Sequence, residues 1–309
     1  MSVVESVFDR ISLSKSQRVE LQLYKQRIAD SWHVFRQNRP AMFGLYVVVF
    51  VILLAIFAPY IAPYDPFTSH QKANGLPALL EQPTLEHPMG TTSLARDVFS
   101  QWVYGSRVSL MVGFLSGITV LVIGTTVGLV SGYYKGKVDL VIMRVVDVLY
   151  AIPAVPLILV IALFFGSSVW NVIIGMMLVL WRTMARVIRS QTMSLSERPF
   201  VKAARASGAS DLRIMYVHIA PNLVPLMLVE GTFVIGAAII IEAGISFLGL
   251  GATDMVSWGT MLQLTFSSGA INQAWWWVLP PGLSITLLVV SFFYISRGIE
   301  DVTNPQLNR

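Results

Sequence analysis

Four ionisable side chains fall inside stretches otherwise built from hydrocarbon: Arg144, Asp147, Glu230 and Glu242. Buried charges of this kind are the usual marks of ion-coupled carriers, proton relays and substrate pathways. Arg144 and Asp147 are spaced i, i+3, so on a helix they reach each other, and a structural ion pair is expected rather than a relay. Glu230 and Glu242 are 12 residues apart, about 120° around an ideal helix, and do not share one site. Glu230, Glu242 and Ser246 are candidates for lining a pathway. Glu230 reads more readily as an interhelical hydrogen bond, whereas Glu242, preceding FLGLG, reads equally as a pathway lining or as a cap at a helix break.

Other chemistry is missing. The chain has no cysteine, which excludes a disulfide framework, cysteine zinc sites and iron-sulfur ligation. Its four histidines, His33, His70, His87 and His218, lack metal-ligand spacing. The nearest approach to a phosphate loop, SGYYKGKV at 131 to 138, fails G-x-x-x-x-G-K-[ST] at its first glycine and by placing Val138 after the lysine. H-E-x-x-H, a G-x-S-x nucleophile with a membrane histidine, and an Asp pair within the apolar stretches are all lacking, which argues against an intramembrane protease or transferase. No catalytic residue, cofactor-binding residue or metal ligand is expected.

The elements that must hold these residues are membrane spans. Of the 309 residues, 55% are apolar and 13% charged, with a mean hydropathy of +0.66; a soluble domain of this size does not carry that balance. Uncharged runs of about 20 residues or more mark the spans. They are TM1 at 41–64, TM2 at 108–134, TM3 at roughly 138–165, TM4 at roughly 168–189, TM5 at roughly 221–248 and TM6 at 275–296. TM3 and TM4 are divided at GSSVW, residues 166 to 170, because the apolar run is too long for one crossing and also contains Pro153 and Pro156. The region 108–296 forms the core, and a polar loop is expected around Ser257 to Gln273.

Six spans put both termini on one side. With that side cytoplasmic, the inner segments hold seven, two, seven and two Lys or Arg residues, 18 of the 22 in the chain, the asymmetry of the positive-inside rule. The net charge of +5 is therefore read as basic inner loops, not as a nucleic-acid surface. No cleavable signal peptide is expected, since the first apolar run begins at residue 41 without an A-x-A-like end. Within the cytoplasmic N-terminal segment 1–40, Leu21, Tyr24, Ile28, Trp32 and Phe35 share a helical face among basic residues, the pattern of an interfacial helix leading into TM1 and touching membrane lipid. The extracytoplasmic loop 65–107 is rich in proline, and a short cytoplasmic tail, 297–309, closes the chain.

The stretch ERPFVKAARASGASDLRIMYVHIAPN, 197 to 222, is a basic insertion between two apolar regions. Arg198, Lys202 and Arg205 form a stripe at i, i+4 and i+7, while Phe200, Ala203, Ala204 and Ser207 lie on another face with mostly small side chains. Pro199 suits a helix start and Gly208 a helix end, so a helix of about two turns is expected, followed by Ser210 as cap of the next. His218, Pro221 and Pro225 read as a bend at the entrance of TM5. On pattern alone a plain basic interfacial loop and a docking surface are equally good readings.

This stretch resembles the EAA loop of binding-protein-dependent ABC importer permeases. Ala203, Ala204 and Gly208 match that pattern at its spacing and Pro221 closes it, with Lys202 in the place of glutamate and Ala220 in the place of leucine. HPMGTTSLARDVFSQWVYGSRVSL at 87 to 110, MRVVDVLYAIPAVPLIL at 143 to 159, EAGISFLGLG at 242 to 251, SWGTML at 257 to 262 and WWWVLPPGLSI at 275 to 285 are similar to blocks of the peptide/nickel subfamily, C-type subunit. Thr92 and Ala95 replace the aspartate and glycine usual there. The matches run in order from about residue 40 to the C-terminus. The resemblance implies an all-α type I importer permease with six transmembrane helices and a cytoplasmic coupling helix. It implies that Phe200, Lys202, Ala203, Ala204, Arg205, Gly208, Ala209, Ser210 and Arg213 contact an ATPase. The implied partners are a homologous B-type permease, two ABC ATPases holding ATP and magnesium, and an extracytoplasmic substrate-binding protein. The implied cargo is a di- or oligopeptide, with nickel chelates, glutathione and oligosaccharides as alternatives. An ion-gradient-driven secondary transporter is the competing reading, but no repeat relates the two halves as such carriers require.

Overall fold

The computed structural model describes residue 26 and residues 29–72, 74–252 and 254–303. Five helices are long and apolar enough to cross a membrane, and a bent pair makes a sixth crossing. Most of the expected interfacial helix lies outside the described residues. Its described part is helical from 29 to 37, with Phe35 buried and Trp32 exposed.

Helix α1 spans Arg39–Ile56, with Pro40 in its first turn and Asn38 as cap, accepting from the Ala41 amide at 3.0 Å. After the short helix α2, Ala58–Ile61, the chain runs irregularly to Asp97, tied by isolated bridges such as Ser69 with Arg96 and Thr91 with Asp97. Asp97 then caps α3, Val98–Tyr134, through the Ser100 amide at 2.7 Å. The helix begins ten residues before the expected start at Val108, because this cap precedes a block whose Val98, Val103 and Gly105 pack inward. Its 37 residues extend about 55 Å, well beyond a hydrocarbon layer of about 30 Å.

The third crossing is broken. Helices α4, Gly136–Ala151, and α5, Ala154–Phe165, meet at 78°, because Pro153 has no amide hydrogen to continue the ladder and Pro156 removes another. α6, Val169–Ser196, starts at the Ser168 cap. It packs along α3 at Gly124, Gly128 and Gly132, where an added Cβ would lie 2.6 to 2.7 Å from Met184, Ala185 and Arg189 atoms. Glycine at every fourth position lets two backbones approach this closely.

Helix α7 is Pro199–Ala206 and α8 extends over Asp211–Leu250, kinked near its close where Gly249 stands at φ +83°. The latter starts ten residues before Pro221, where TM5 was expected. The chain absorbs the missing Pro221 donor in a π segment, Ile214–Ile219, without ending the helix. The expected polar loop around Ser257 to Gln273 instead contains α9, Trp258–Ser267: Ser257 and Thr260 form a capping box, and Trp258, Met261 and Thr265 are buried along one face. Helix α10, Trp275–Thr303, completes the bundle.

Two ends of the bundle follow from this order. Asn38 Nδ2 donates to Asp301 Oδ2 at 2.6 Å, so the start of α1 and the close of α10 lie together. The α3 close and α7 share that end, whereas residues 57–97 and α9 occupy the other. There Trp258 Nε1 donates to the Trp102 carbonyl at 2.9 Å.

Candidate functional site

Helix α7 has the two turns that its sequence predicts, and its end has a physical cause. Gly208 stands at φ +80°, its amide donates to the Arg205 carbonyl at 3.0 Å, and the Ala209 amide reaches back to the Ala204 carbonyl at 3.1 Å. That pair of bonds is the Schellman motif, and its left-handed residue favours glycine. Ser210 Oγ then accepts from the Arg213 amide at 3.4 Å and opens α8.

One side chain anchors this helix. Val201 is fully buried among Leu129, Tyr133, Ile188, Ile214 and Met215, which ties α7 to α3, α6 and α8. Phe200, Lys202, Ala203, Arg205, Gly208, Ser210 and Arg213 are exposed, and Ala204 and Ala209 partly so. The exposed face thus mixes small Ala203 and Gly208 with Phe200 and basic side chains, and Val201 seats it on three long helices.

The basic stripe is held by neighbouring side chains. Glu197 receives Lys135 at 2.5 Å on Oε1 and Lys202 at 3.3 Å on Oε2. The two ammonium groups hold its carboxyl below the usual carboxylate range. Arg205 places its guanidinium 5.5 Å from the Tyr133 ring centroid, and the Tyr133 hydroxyl donates to Asp211 Oδ1 at 2.7 Å. These groups surround a cleft of about 350 Å³. Beside it, Asp139 is bonded by both Ser131 and Arg189.

The intramembrane charges are arranged differently from their sequence reading. Asp147 does not pair with Arg144; it accepts from Arg186 on α6 at 2.5 Å. Arg186 is fixed over Tyr150, 4.0 Å from its ring centroid, so the aspartate is satisfied across helices. Sequence spacing had no means of finding Arg182, which donates to the carbonyls of Leu149 and Ile152. It thereby fills acceptors left open where Pro153 breaks the crossing. Glu242 is buried and accepts from Ser246 Oγ at 2.7 Å, at the start of the π segment Ser246–Leu250. Both line a narrow void, and Glu242 Oε2 has no hydrogen-bond partner among the described residues. Glu230 is half-buried, one helix face away.

An all-helical bundle of six crossings with a short anchored helix on one end is the architecture that the sequence resemblance leads one to expect of an ABC importer's transmembrane subunit. Residues 124–309 match the binding-protein-dependent transport system inner membrane component family, and residues 27–83 match the N-terminal TM domain of oligopeptide transport permease C. The chain belongs to this family of importer permeases. It is 38% identical over 280 residues, 90% of either chain, to the dipeptide transport system permease protein DppC of Alkalihalophilus pseudofirmus. It is 36% identical over 282 residues, 90% of this chain and 91% of the relative, to the glutathione transport system permease protein GsiD of Pectobacterium atrosepticum. The fold matches a chain of the MetNI methionine ABC transporter, solved in inward-facing conformations, with a TM-score of 0.53 at 20% identity over 66% of this chain and 97% of that one. The chain is thus a non-catalytic, multi-pass inner-membrane subunit whose ATP hydrolysis is performed by separate subunits.

Proposed function

We propose that the chain is the C-type half of a peptide importer's translocation pathway, driven through α7 by ATPases that bind ATP and magnesium on the cytoplasmic side. Both termini then face the cytoplasm, in accord with 18 of 22 basic residues on that side. A homologous B-type permease completes the pathway, two ATPases dock beneath, and a binding protein delivers cargo from outside. Peptides are favoured because the similar DppC relative carries that name across nine-tenths of both chains. Glutathione, named for another relative of similar identity, is itself a modified tripeptide and belongs to the same substrate chemistry.

The observation that carries the coupling role is the burial of Val201 beneath the exposed face of α7. Closure of the ATPases pushes on Phe200, Ala203 and Arg205, and Val201 conveys the push to α3, α6 and α8. Alternating access follows as these helices tilt together. Because the chain lacks cysteine, Ala203→Cys gives a single-site probe. It is expected to cross-link to a co-purifying ATPase, with the yield changing when ATP binds; a probe that labels only lipid would remove the coupling role.

A further inference from the structure

At the end of the bundle opposite α7, a cavity of about 600 Å³ lies between the close of α1, residues 65–67, the first half of α3 and residues 254–256. Its volume falls within the roughly 300 to 1,000 Å³ of small-molecule sites. The walls are apolar, including Phe67, Val108, Met111 and Met255, but three charged residues of both signs line them: Asp65, Arg107 and Asp254. Among the described residues neither Arg107 nor Asp254 forms an ion pair. Arg107 rests on Tyr104, 5.8 Å from its ring centroid, which orients a planar fork suited to a carboxylate. Asp65 is held in a turn, Oδ1 accepting from the Phe67 amide at 2.8 Å.

A second space of about 200 Å³ adjoins the first across Phe67, Met255 and Val256. Arg96 and Gln101 line it, and each carries a buried polar atom without a partner, Arg96 Nε and Gln101 Oε1. Gln101 is only 1% exposed, and its amide nitrogen is occupied by the Pro66 carbonyl at 2.9 Å. Its oxygen is therefore fixed and left unpaired. One buried donor and one buried acceptor, left unpaired, match the carbonyl and amide of a peptide unit.

We propose that these adjoining cavities form a reception site for a short zwitterionic peptide, its carboxylate on Arg107, its ammonium on Asp254 and Asp65, and its backbone against Gln101 and Arg96. The assignment rests on the peptide-import reading and on the orientation that places this end outside. The site would hold cargo released by the binding protein before the pathway opens inward. Neutral or singly charged solutes satisfy only part of it.

The test uses the assembled transporter in nanodiscs, with Met255→Cys as the sole thiol of this chain and dialanine as probe. Dialanine at millimolar concentration is expected to slow thiol labelling of residue 255 at least threefold, while N-acetyl-dialanine amide does not. Arg107→Gln in that background should abolish the protection, and Arg107→Lys should keep most of it. Absence of protection by dialanine, or equal protection by the blocked peptide, would overturn the proposal. So would slow labelling that depends on phosphatidylethanolamine and ignores dialanine, since the cavity would then hold a lipid headgroup. ATP-driven dialanine uptake by the wild-type complex is measured in parallel. Uptake without protection removes this site alone, whereas absence of peptide uptake removes the peptide reading beneath it.

Discussion

Lys202 Nζ lies 3.3 Å from Glu197 Oε2, and Lys135 occupies the other oxygen of the same carboxylate. Through Glu197, the lysine at the motif position where glutamate is usual links α7 to the α3–α4 turn. Both Lys202 and Glu197 have side chains 63% exposed, so water and salt screen the pair and its contribution to stability is small. Lys202→Glu is expected to lower ATP-driven uptake by no more than about fivefold, and the full exchange of Glu197→Lys with both Lys135→Glu and Lys202→Glu to restore it. A loss beyond tenfold that the exchange leaves unrepaired would show that Lys202 acts on the ATPase directly.

Gly208 sets a different limit. At φ +80° an added Cβ meets nothing within 4 Å, so a substitution there is penalised by the backbone and not by a clash, at about 1 to 2 kcal/mol. Gly208→Val should abolish uptake while the protein remains membrane-inserted, whereas Gly208→Asn, which tolerates the left-handed region, should retain a large part. Uptake by the valine variant equal to wild type would refute the requirement.

The α3–α6 seam is governed by clash. An added Cβ at Gly128 would stand 2.7 Å from the Ala185 carbonyl oxygen and from Ile188 Cβ, an overpacking that costs about 1 to 3 kcal/mol for small changes. Gly128→Ala is expected to lower the thermal midpoint in detergent by several degrees and Gly128→Leu to prevent stable insertion. Gly282→Ala, with open space around it, should change neither; equal effects at the two glycines would contradict the close approach.

Acidification acts on the segment between α2 and α3. His70 packs against His87 with the rings tilted by 59° and their centroids 4.9 Å apart, and His87 Nδ1 lies 2.9 Å from Asp97 Oδ1. Desolvation, and secondarily the charge of His87, hold His70 below the ordinary 6.5. In the window beneath 6.5 the unfolded segment binds more protons than the folded one, so stability is full above that pH and declines as pH falls through the window. The hydrogen-exchange protection factor across residues 65–97, taken relative to the intrinsic rate at each pH, should fall from pH 7.5 to 5.5 more in wild type than in His70→Gln. The same increment in both would exclude His70 as the cause.

How much of this was legible in sequence depended on how local the cause is. The two-turn helix, its glycine end and the Ser210 cap were readable because each is fixed by residues within one turn. Six crossings were readable because hydrocarbon length alone sets them. The break at Pro153 was visible as two prolines but was absorbed into one span, since the donor that makes it tolerable, Arg182, is some 30 residues away on another helix. Asp147 was assigned its sequence neighbour Arg144, yet its partner Arg186 arrives only when α4 and α6 pack. The α9 helix was missed because the capping box of Ser257 and Thr260 sits in a polar stretch that buries only Trp258, Gly259, Met261 and Thr265. Gly124, Gly128 and Gly132 at every fourth position carried a signal that could have marked α3 as a packing seam.

The central claim is that ATP hydrolysis in separate subunits drives peptides through this chain by way of α7. The most direct measurement is dipeptide uptake into proteoliposomes holding the complete complex, with Mg-ATP on the ATPase side and the loaded binding protein on the other. Uptake that requires Mg-ATP, survives an ionophore and disappears in Gly208→Val is the predicted result. Uptake that persists without ATP and collapses with the ion gradient would contradict it.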